Sequence, residues 1–185
     1  SRNTKKYKEE EAPAAKANGT KILLRSEWAV AERCVDALNR NEFFAEVTSM
    51  MSPQKPIIGY AGPSTEAYLP WRAKADIITE EGRLIDLKTT SSLSGFRVSA
   101  DKYNYDLQAV LYSKLFGKDP LDFRFVVVDK KTLDVGVFTC GKAFVARGEA
   151  KLRRVVETYL AWFPKSVLDP EVPHNLDLYY LQDEL

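Results

Sequence analysis

The chain has 185 residues, 45% of them hydrophobic and 11% aromatic, and a formal net charge of +1. This is enough for one domain with a sizeable core, and the near-neutral charge excludes the strongly basic class of nucleic-acid binder. The absence of an apolar run of about 18 residues excludes a membrane span, and Cys34 and Cys140 are too few for a disulfide framework or a CxxC metal site. We therefore expect a soluble, cytoplasmic protein with no membrane partner.

The N-terminal third is predicted to be helical after a charged arm. Residues 1–20 are mostly charged or alanine, which predicts a flexible or helical arm. The chain begins at Ser1 without an initiator methionine, which suggests missing upstream sequence. A helix is predicted from Ser26 to about residue 40, followed by a second, short helix from Phe43. The apolar residues of the first helix recur at spacings of three and four: Trp28, Ala31, Val35 and Leu38.

The remainder is predicted to alternate strands and helices. Residues 52–63, with three prolines, predict a loop or edge segment, and period-two patterning between Glu66 and Thr90 predicts two or three antiparallel strands around a turn at 79–82. Asp101 is predicted to cap a helix that closes near residue 117. Strands over 123–128 and 135–139, a helix from Lys142 to about Phe163 and an irregular tail over 169–185 complete the prediction. The fold class is α/β or α+β, with a mixed β-sheet flanked by helices and a domain over residues 21–168.

Two of the predicted strands carry acidic and basic side chains on one face. Because side chains alternate along a strand, Asp86 and Lys88 share a face, and so do Lys74 and Asp76 on the strand predicted over Trp71–Ile78. If the turn near residue 82 pairs these strands, Asp76 and Asp86 converge. Two carboxylates and the main-chain carbonyl of Leu87 would form an oxygen site suited to magnesium.

This grouping is the chemistry that phosphodiester hydrolysis requires. Lys88, beside the carboxylates, can orient or deprotonate a water and offset negative charge on a phosphate. Thr89, Arg97 and Lys102 are candidates for contacts with DNA phosphates, as is Lys74. The alternative interpretation is that these charges cover the solvated face of an antiparallel sheet.

The ordered set as a whole is more specific than any member. It comprises Glu66, Asp76, Asp86-Leu87-Lys88, Tyr105, Gln108 and Tyr112. In order and spacing it resembles the PD-(D/E)XK nucleases, especially phage and prophage recombination exonucleases of the exodeoxyribonuclease VIII (RecE) type. The resemblance spans roughly residues 2–116 and implies a restriction-endonuclease-like core with a central mixed sheet.

The resemblance also implies residue roles, a cofactor and partners. Asp76 and Asp86 would be metal ligands, Lys88 the catalytic lysine, Glu66 an auxiliary acid, and Gln108 with Tyr112 the helix motif bordering the site. The cofactor would be Mg²⁺, for which Mn²⁺ can substitute. The substrate would be linear double-stranded DNA, digested 5′-to-3′ from its ends to leave 3′ overhangs for a single-strand annealing recombination protein. A ring-like homo-oligomer in a bacterial host cell, phage or prophage encoded, is implied as well.

One departure and two alternatives stay open from the sequence. Relatives of this type carry a histidine upstream of the first acidic motif, whereas the single histidine here, His174, lies far downstream. The alternatives are a nuclease module like that of RecB and a catalytically silent DNA-binding or assembly protein of the same fold. Two cysteines cannot build the four-cysteine iron–sulfur site that many such modules carry.

Overall fold

The computed structural model describes residues 5–6, 9, 12–17, 23–49, 57–61 and 69–162. Its helices are α1 (Ala12–Ala17), α2 (Arg25–Asn39), α3 (Glu42–Ser49), α4 (Phe96–Lys102), α5 (Tyr105–Leu115) and α6 (Lys142–Trp162), and a short 3-10 helix covers Pro120–Asp122. Its strands are β1 (Ile57–Ala61), β2 (Leu69–Ala73), β3 (Ile77–Ile78), β4 (Leu84–Thr90), β5 (Arg124–Asp129) and β6 (Val135–Thr139). Among these elements no helix is both long and apolar enough to cross a membrane.

The strands form two sheets. The larger has the order β3-β4-β5-β6, and the smaller is the antiparallel pair β1-β2. Strands β4 and β5 run parallel, while β3 and β6 lie antiparallel to their neighbours. The parallel step requires a long crossover, and α4 and α5 lie in the connection that supplies it. The predicted mixed sheet flanked by helices is thus confirmed.

Helices cover both faces of the four-stranded sheet. On one face Phe125 and Val127 pack in the largest core cluster with α4, α5 and α6. On the other face Ile85 and Val126 pack against α3, and Val128 packs against α2. Strand β5 is therefore buried on both sides, which explains its continuous Phe-Val-Val-Val run. The small β1-β2 sheet packs on α5 through contacts among Ala61, Ala73 and Leu115.

The strand predicted over Trp71–Ile78 is wrong as a single element. Strand β2 ends at Ala73 and pairs with β1, and only Ile77–Ile78 pairs with β4. Exposure still alternates across the gap, with Ala75 buried and Asp76 half-buried. The physical reason for the break is that the Asp76 carboxylate, rather than a continuing strand, accepts the main-chain N–H of Leu87.

The helix cap predicted at Asp101 is also wrong. Asp101 lies inside α4, and the residue before α5 is Asn104, whose φ of 54° is left-handed. Asparagine tolerates this conformation better than most residues, so it can turn the chain sharply between two helices. The side chain of Asp101 instead pairs with Arg147 on α6.

Some predictions fall on residues that the structure does not describe. Glu66 lies outside the described residues, as do the predicted tail over 169–185 and most of the predicted loop over 52–63. The described part of that loop forms β1. Within the predicted N-terminal arm, α1 is described.

Helices α5 and α6 pack closely because Gly148 has no side chain. A Cβ on Gly148 would lie 2.2 Å from the main-chain oxygen of Asp106. Alanine normally stabilises a helix by about 1 kcal/mol relative to glycine. We nevertheless expect Gly148→Ala to lower the free energy of unfolding by roughly 2 kcal/mol or more, since the helices must separate. Urea denaturation followed by circular dichroism would measure this.

Gly141, just before α6, provides the matched control. A Cβ there would meet nothing within 4 Å. Gly141→Ala adds no steric clash, so it should lower the unfolding free energy by no more than about 1 kcal/mol, which reflects the preference for glycine over alanine immediately before a helix. Equal effects of the two substitutions would contradict the close approach of α5 and α6.

Asp129, at the end of β5, organises the neighbouring turns. Its Oδ1 accepts the main-chain N–H of Lys131 at 2.8 Å, and its Oδ2 accepts that of Leu93 at 3.2 Å. These main-chain bonds, with that from Lys131 the strongest, hold the pKa of Asp129 below its ordinary value. A carboxyl whose pKa is lower in the folded state stabilises the fold above its unfolded pKa, and this contribution is lost as the pH falls through the folded pKa.

We therefore expect Asp129→Asn to be less stable than the parent near pH 7, because one accepting oxygen becomes a donor. The difference should shrink as the pH falls below about 4, the unfolded pKa, and should be lost once the pH is below the folded pKa. Thermal unfolding across this pH range would measure it. Asp134→Asn, at an exposed position in the same turn, is the control and should leave the pH dependence of stability unchanged.

Candidate active site

Asp86 lies in the middle of β4 and is 4% exposed. Its Oδ1 accepts a hydrogen bond of 2.7 Å from Nε2 of Gln108 on α5. Its Oδ2 lies 2.5 Å from Nζ of Lys88 in an ion pair. The Asp86 carboxylate is therefore held between the Gln108 amide on α5 and the Lys88 amine, which lies two residues further along β4 on the same face.

The environment of Asp86 shifts its proton affinity. Burial raises the pKa of Asp86 above the ordinary value, and the nearby negative charge of Asp76 raises it further. The Lys88 ammonium and the Gln108 amide oppose this rise. Burial therefore disfavours the ionised form of Asp86, and an added positive charge would stabilise that form.

Asp76 approaches the same point from the chain segment between β2 and β3. Its Oδ2 accepts the N–H of Leu87 at 2.8 Å. In an extended strand the N–H and C=O of one residue point to the same edge. The carbonyl oxygen of Leu87 consequently faces the edge on which the Asp76 carboxylate lies, and that carboxylate is near enough to Asp86 for its charge to act on it.

Lys88 is held from two sides. Besides its ion pair with Asp86, its Nζ lies 4.6 Å from the centroid of the Tyr105 ring. Its side chain is 21% exposed, so the amine can reach solvent and a ligand. A lysine fixed beside a carboxylate and open on one side can donate hydrogen bonds to an anionic oxygen or orient a water.

The donor set fits a divalent cation of the magnesium type. Oδ2 of Asp86 is buried and is paired with the Lys88 amine, and a carboxylate oxygen has a further lone pair with which it can contact a cation. The described residues contain no cluster of three or more histidine, cysteine or acidic side chains. Two carboxylates and one carbonyl suit Mg²⁺, which keeps several waters, better than zinc, which prefers nitrogen and sulfur ligands.

The predicted site residues fall into four groups. Asp76, Asp86, Leu87, Lys88 and Gln108 lie together. Lys74 and Tyr112 line a cleft next to this group. Three predicted DNA contacts lie apart: Thr89 follows the alternation to the opposite sheet face, Arg97 lines a cleft beside β6, and Lys102 lies over the Tyr103 ring. Glu66 is outside the described residues.

The sequence interpretation included Tyr105 and Arg72 in the matching motifs but assigned neither a role. The ring of Tyr105 contacts the Lys88 amine and stacks on Phe125, whose ring centroid is 5.6 Å away. Arg72 lines the same cleft as Lys74. Spacing could have indicated Arg72, since Arg72, Lys74 and Asp76 alternate along one side of the extended segment. Nothing in the sequence links Tyr105 to Lys88, because their contact depends on the crossover.

Removing the Tyr105 ring should loosen Lys88 and slow catalysis. A cation over an aromatic face contributes about 1–2 kcal/mol when partly desolvated. We therefore expect Tyr105→Leu to lower kcat about 10-fold, whereas Tyr105→Phe, which keeps the ring, should stay within about 2-fold of the parent. Steady-state cleavage kinetics would measure both.

The pair of Lys102 and Tyr103 offers a matched control at an exposed position, with 5.4 Å between the amine and the ring centroid. Tyr103→Leu should leave kcat unchanged. A Tyr105→Phe variant as slow as Tyr105→Leu would show that the ring's contact with Lys88 is not what matters.

Comparisons with known proteins agree with the fold. A family model described as a PDDEXK-like domain of unknown function (DUF3799) matches residues 1–171. A crystal structure from Eubacterium rectale, described as a "Putative exonuclease", is similar with a TM-score of 0.59 and 17% sequence identity, over 74% of this chain and 54% of that chain. This chain thus spans about half the length of that protein, and at this identity the likeness concerns the fold. No curated protein matches the sequence.

Proposed function

The chain belongs to the PDDEXK-like domain family DUF3799, and thus to the PD-(D/E)XK nuclease superfamily, and from this premise we propose that it is a magnesium-dependent exonuclease of linear double-stranded DNA. The observation that carries the proposal is the buried Asp86 carboxylate, held between Lys88 and Gln108. A carboxylate buried beside a second carboxylate costs stability unless positive charge compensates it, and a bound cation would supply that charge. The neighbouring Asp76 carboxylate supports the same interpretation.

In the proposed mechanism the chain's residues position the reacting groups. Asp76, Asp86 and the Leu87 carbonyl would hold the cation, which supplies charge stabilisation for the phosphoryl oxygens and a more acidic water when bound. Gln108 holds the Asp86 carboxylate in one orientation through its amide. Lys88 donates to the attacking water or to a phosphoryl oxygen, and its charge offsets the negative charge that develops there.

The finer parts of the proposal rest on the resemblance to exodeoxyribonuclease VIII (RecE)-type enzymes. They are 5′-to-3′ digestion from DNA ends, 3′ overhangs handed to a single-strand annealing recombination protein, a ring-like homo-oligomer and action in the cytoplasm of a bacterium that carries the phage or prophage. The description of the Eubacterium rectale protein as an exonuclease supports end-directed cutting. A ring around DNA would keep the enzyme at high effective concentration on its track.

A cleavage assay with three DNA forms tests the proposal. The protein is incubated with end-labelled linear duplex, nicked circle and closed circle, each with Mg²⁺ or with chelator. We expect loss of the linear duplex alone, and only with the metal. Cutting of closed circles would indicate an endonuclease, and binding without cutting would favour a catalytically silent DNA-binding protein. Labels placed on the 5′ or the 3′ end would give the polarity of digestion.

Oligomeric state requires a separate measurement. Size-exclusion chromatography with light scattering should give a multiple of the 21.0 kDa chain mass. A strict monomer would contradict the ring.

A further inference from the structure

A cleft of about 610 Å³ is lined by residues of β1, β2 and α5 and by Lys74, and two of its lining residues lie close in sequence to candidate active-site residues. Its lining comprises Ile58, Arg72, Ala73, Lys74 and Tyr112. On one side of the cleft is Lys74, which precedes the carboxylate residue Asp76 by two positions. On the other side is Tyr112, which lies on α5 one helical turn after Gln108, the residue that donates a hydrogen bond to Asp86. A ligand in the cleft can therefore extend towards the carboxylates.

The lining of the cleft includes two cationic side chains. Arg72 and Lys74 are exposed, and neither has an ion pair or hydrogen bond with the part of the chain that the structure describes. They alternate with the buried Ala73 and Ala75, so both point to the open side, about 6.7 Å apart by strand geometry. Two unpaired cations in a row, beside a site with two carboxylates, favour an anion with repeating charges.

The cleft also has an apolar and an aromatic wall. Ile58 is 76% exposed and is the register partner of Arg72, so the two side chains share one face of the small sheet. Tyr112 faces them from α5. Cations that alternate with apolar and aromatic surface match a nucleic-acid strand, whose phosphates alternate with sugars and bases. A free phosphate or a metal-bound carboxylate would need only the cations.

We propose that this cleft binds the DNA strand next to the scissile phosphate, an assignment that rests on the proposed nuclease function. Lys74, nearer to Asp76, contacts the first phosphate along the strand, and Arg72 contacts the second. Ile58 and Tyr112 contact the sugars and bases between them. The contacts fix the register of the strand without reading its sequence.

The arrangement explains how an anionic strand can approach an anionic site. Asp76 and Asp86 together carry two negative charges, of which Lys88 offsets one. Arg72 and Lys74 place two positive charges on the path that leads to them. An arginine can bind a phosphate through two parallel N–H groups, so Arg72 can hold the strand in a defined orientation.

Salt-dependent binding tests the proposal with the full chain. Affinity for a fluorescein-labelled linear duplex is measured by anisotropy in chelator over a series of KCl concentrations. Each lost phosphate contact lowers the slope of log Kd against log salt by about 0.9. We expect Arg72→Gln and Lys74→Gln each to reduce the slope by about 1 and to weaken binding roughly 3- to 10-fold, while Arg72→Lys retains most of both.

Arg154→Gln is the matched control, since Arg154 is exposed on α6 and does not line the cleft. It should change neither slope nor affinity. In cleavage kinetics Arg72→Gln should raise KM about as much as it raises Kd, with kcat within about 2-fold of the parent. A fall in kcat without a change in KM would contradict a binding role.

The outcomes separate this proposal from the nuclease assignment. If the parent protein cuts DNA but Arg72→Gln and Lys74→Gln bind with unchanged slope, the cleft assignment is wrong and the nuclease assignment stands. If the parent neither binds nor cuts DNA, the nuclease assignment itself is wrong. Both positions are exposed, so thermal unfolding should be unchanged; should one variant unfold early, the other decides the result.

Discussion

Asp86→Asn is expected to lower kcat for DNA cleavage by at least about 10³-fold, equivalent to about 4 kcal/mol of transition-state stabilisation. Asparagine has nearly the same shape and can still accept the hydrogen bond that Gln108 donates to Oδ1. It lacks the negative charge required to hold a divalent cation, and its second polar atom is a donor. Binding of the DNA should persist, because the change removes a negative charge near the phosphates. Cleavage kinetics and anisotropy would measure the two effects separately.

The stability of this variant distinguishes a functional from a structural role. Because burial raises the pKa of Asp86, the ionised carboxylate is disfavoured in the folded chain relative to the unfolded chain. We therefore expect the thermal midpoint of Asp86→Asn to equal or exceed that of the parent. The parent would then carry the charged carboxylate for function at a cost in stability. Asp101→Asn, at a carboxylate of α4 that is 60% exposed, is the control and should retain activity. Retained turnover in Asp86→Asn would remove Asp86 from the site.

Substitution of Lys88 is expected to have the second largest effect. Lys88→Met removes the amine beside Asp86, and Lys88→Arg keeps a positive charge in a wider, planar group that is effectively never deprotonated. If Lys88 orients or deprotonates the water, both variants should lose about 10²-fold or more in kcat. Arginine cannot reproduce the position of a compact amine between a carboxylate and the Tyr105 ring. Single-turnover cleavage would report the chemical step.

The two Lys88 variants also separate charge from position. An arginine variant as fast as the parent would show that positive charge alone suffices. Lys88→Met should additionally lower the thermal midpoint, because the Asp86 carboxylate then lacks its counter-charge. Lys114→Met, at an exposed position on α5, is the control and should behave as the parent does.

Much of the fold follows from local sequence patterns. The helix predicted from Lys142 to about Phe163 is α6, and the strands predicted over 123–128 and 135–139 are β5 and β6 within one residue. These elements have strong periodicity or β-branched runs, so their secondary structure needs little help from distant contacts. Local patterns cannot predict the pairing of β4 with β5. A parallel pair requires a crossover connection, and the position of that crossover depends on contacts between residues distant in sequence.

The first long helix shows where periodicity misleads. Its apolar residues predict a buried stripe through Trp28 and Val35, yet these are 57% and 53% exposed. The buried positions are Cys34 and Ala37, small residues that let the helix approach Val128 of β5. Helix α2 has apolar residues on more than one side, so the spacing alone cannot decide which side faces the sheet.

In the candidate site, too, local spacing predicts some contacts and not others. Alternation along one strand placed Asp86 with Lys88, and it also places Thr89 on the opposite face, against its predicted contact with DNA. The contact between Gln108 and Asp86 joins residues 22 apart in sequence, and only the ordered motif indicated it. The role of Tyr105 depends on a ring packed against β5 from the crossover, a contact that no local spacing encodes.

The most direct test of the central claim is the position of a bound cation. Crystals of the full chain grown with Mn²⁺ would be measured at a wavelength where manganese scatters anomalously. We predict an anomalous peak between the carboxylates of Asp76 and Asp86, next to the Leu87 carbonyl, and its loss in Asp86→Asn. A peak elsewhere, or an equal peak in that variant, would contradict the account.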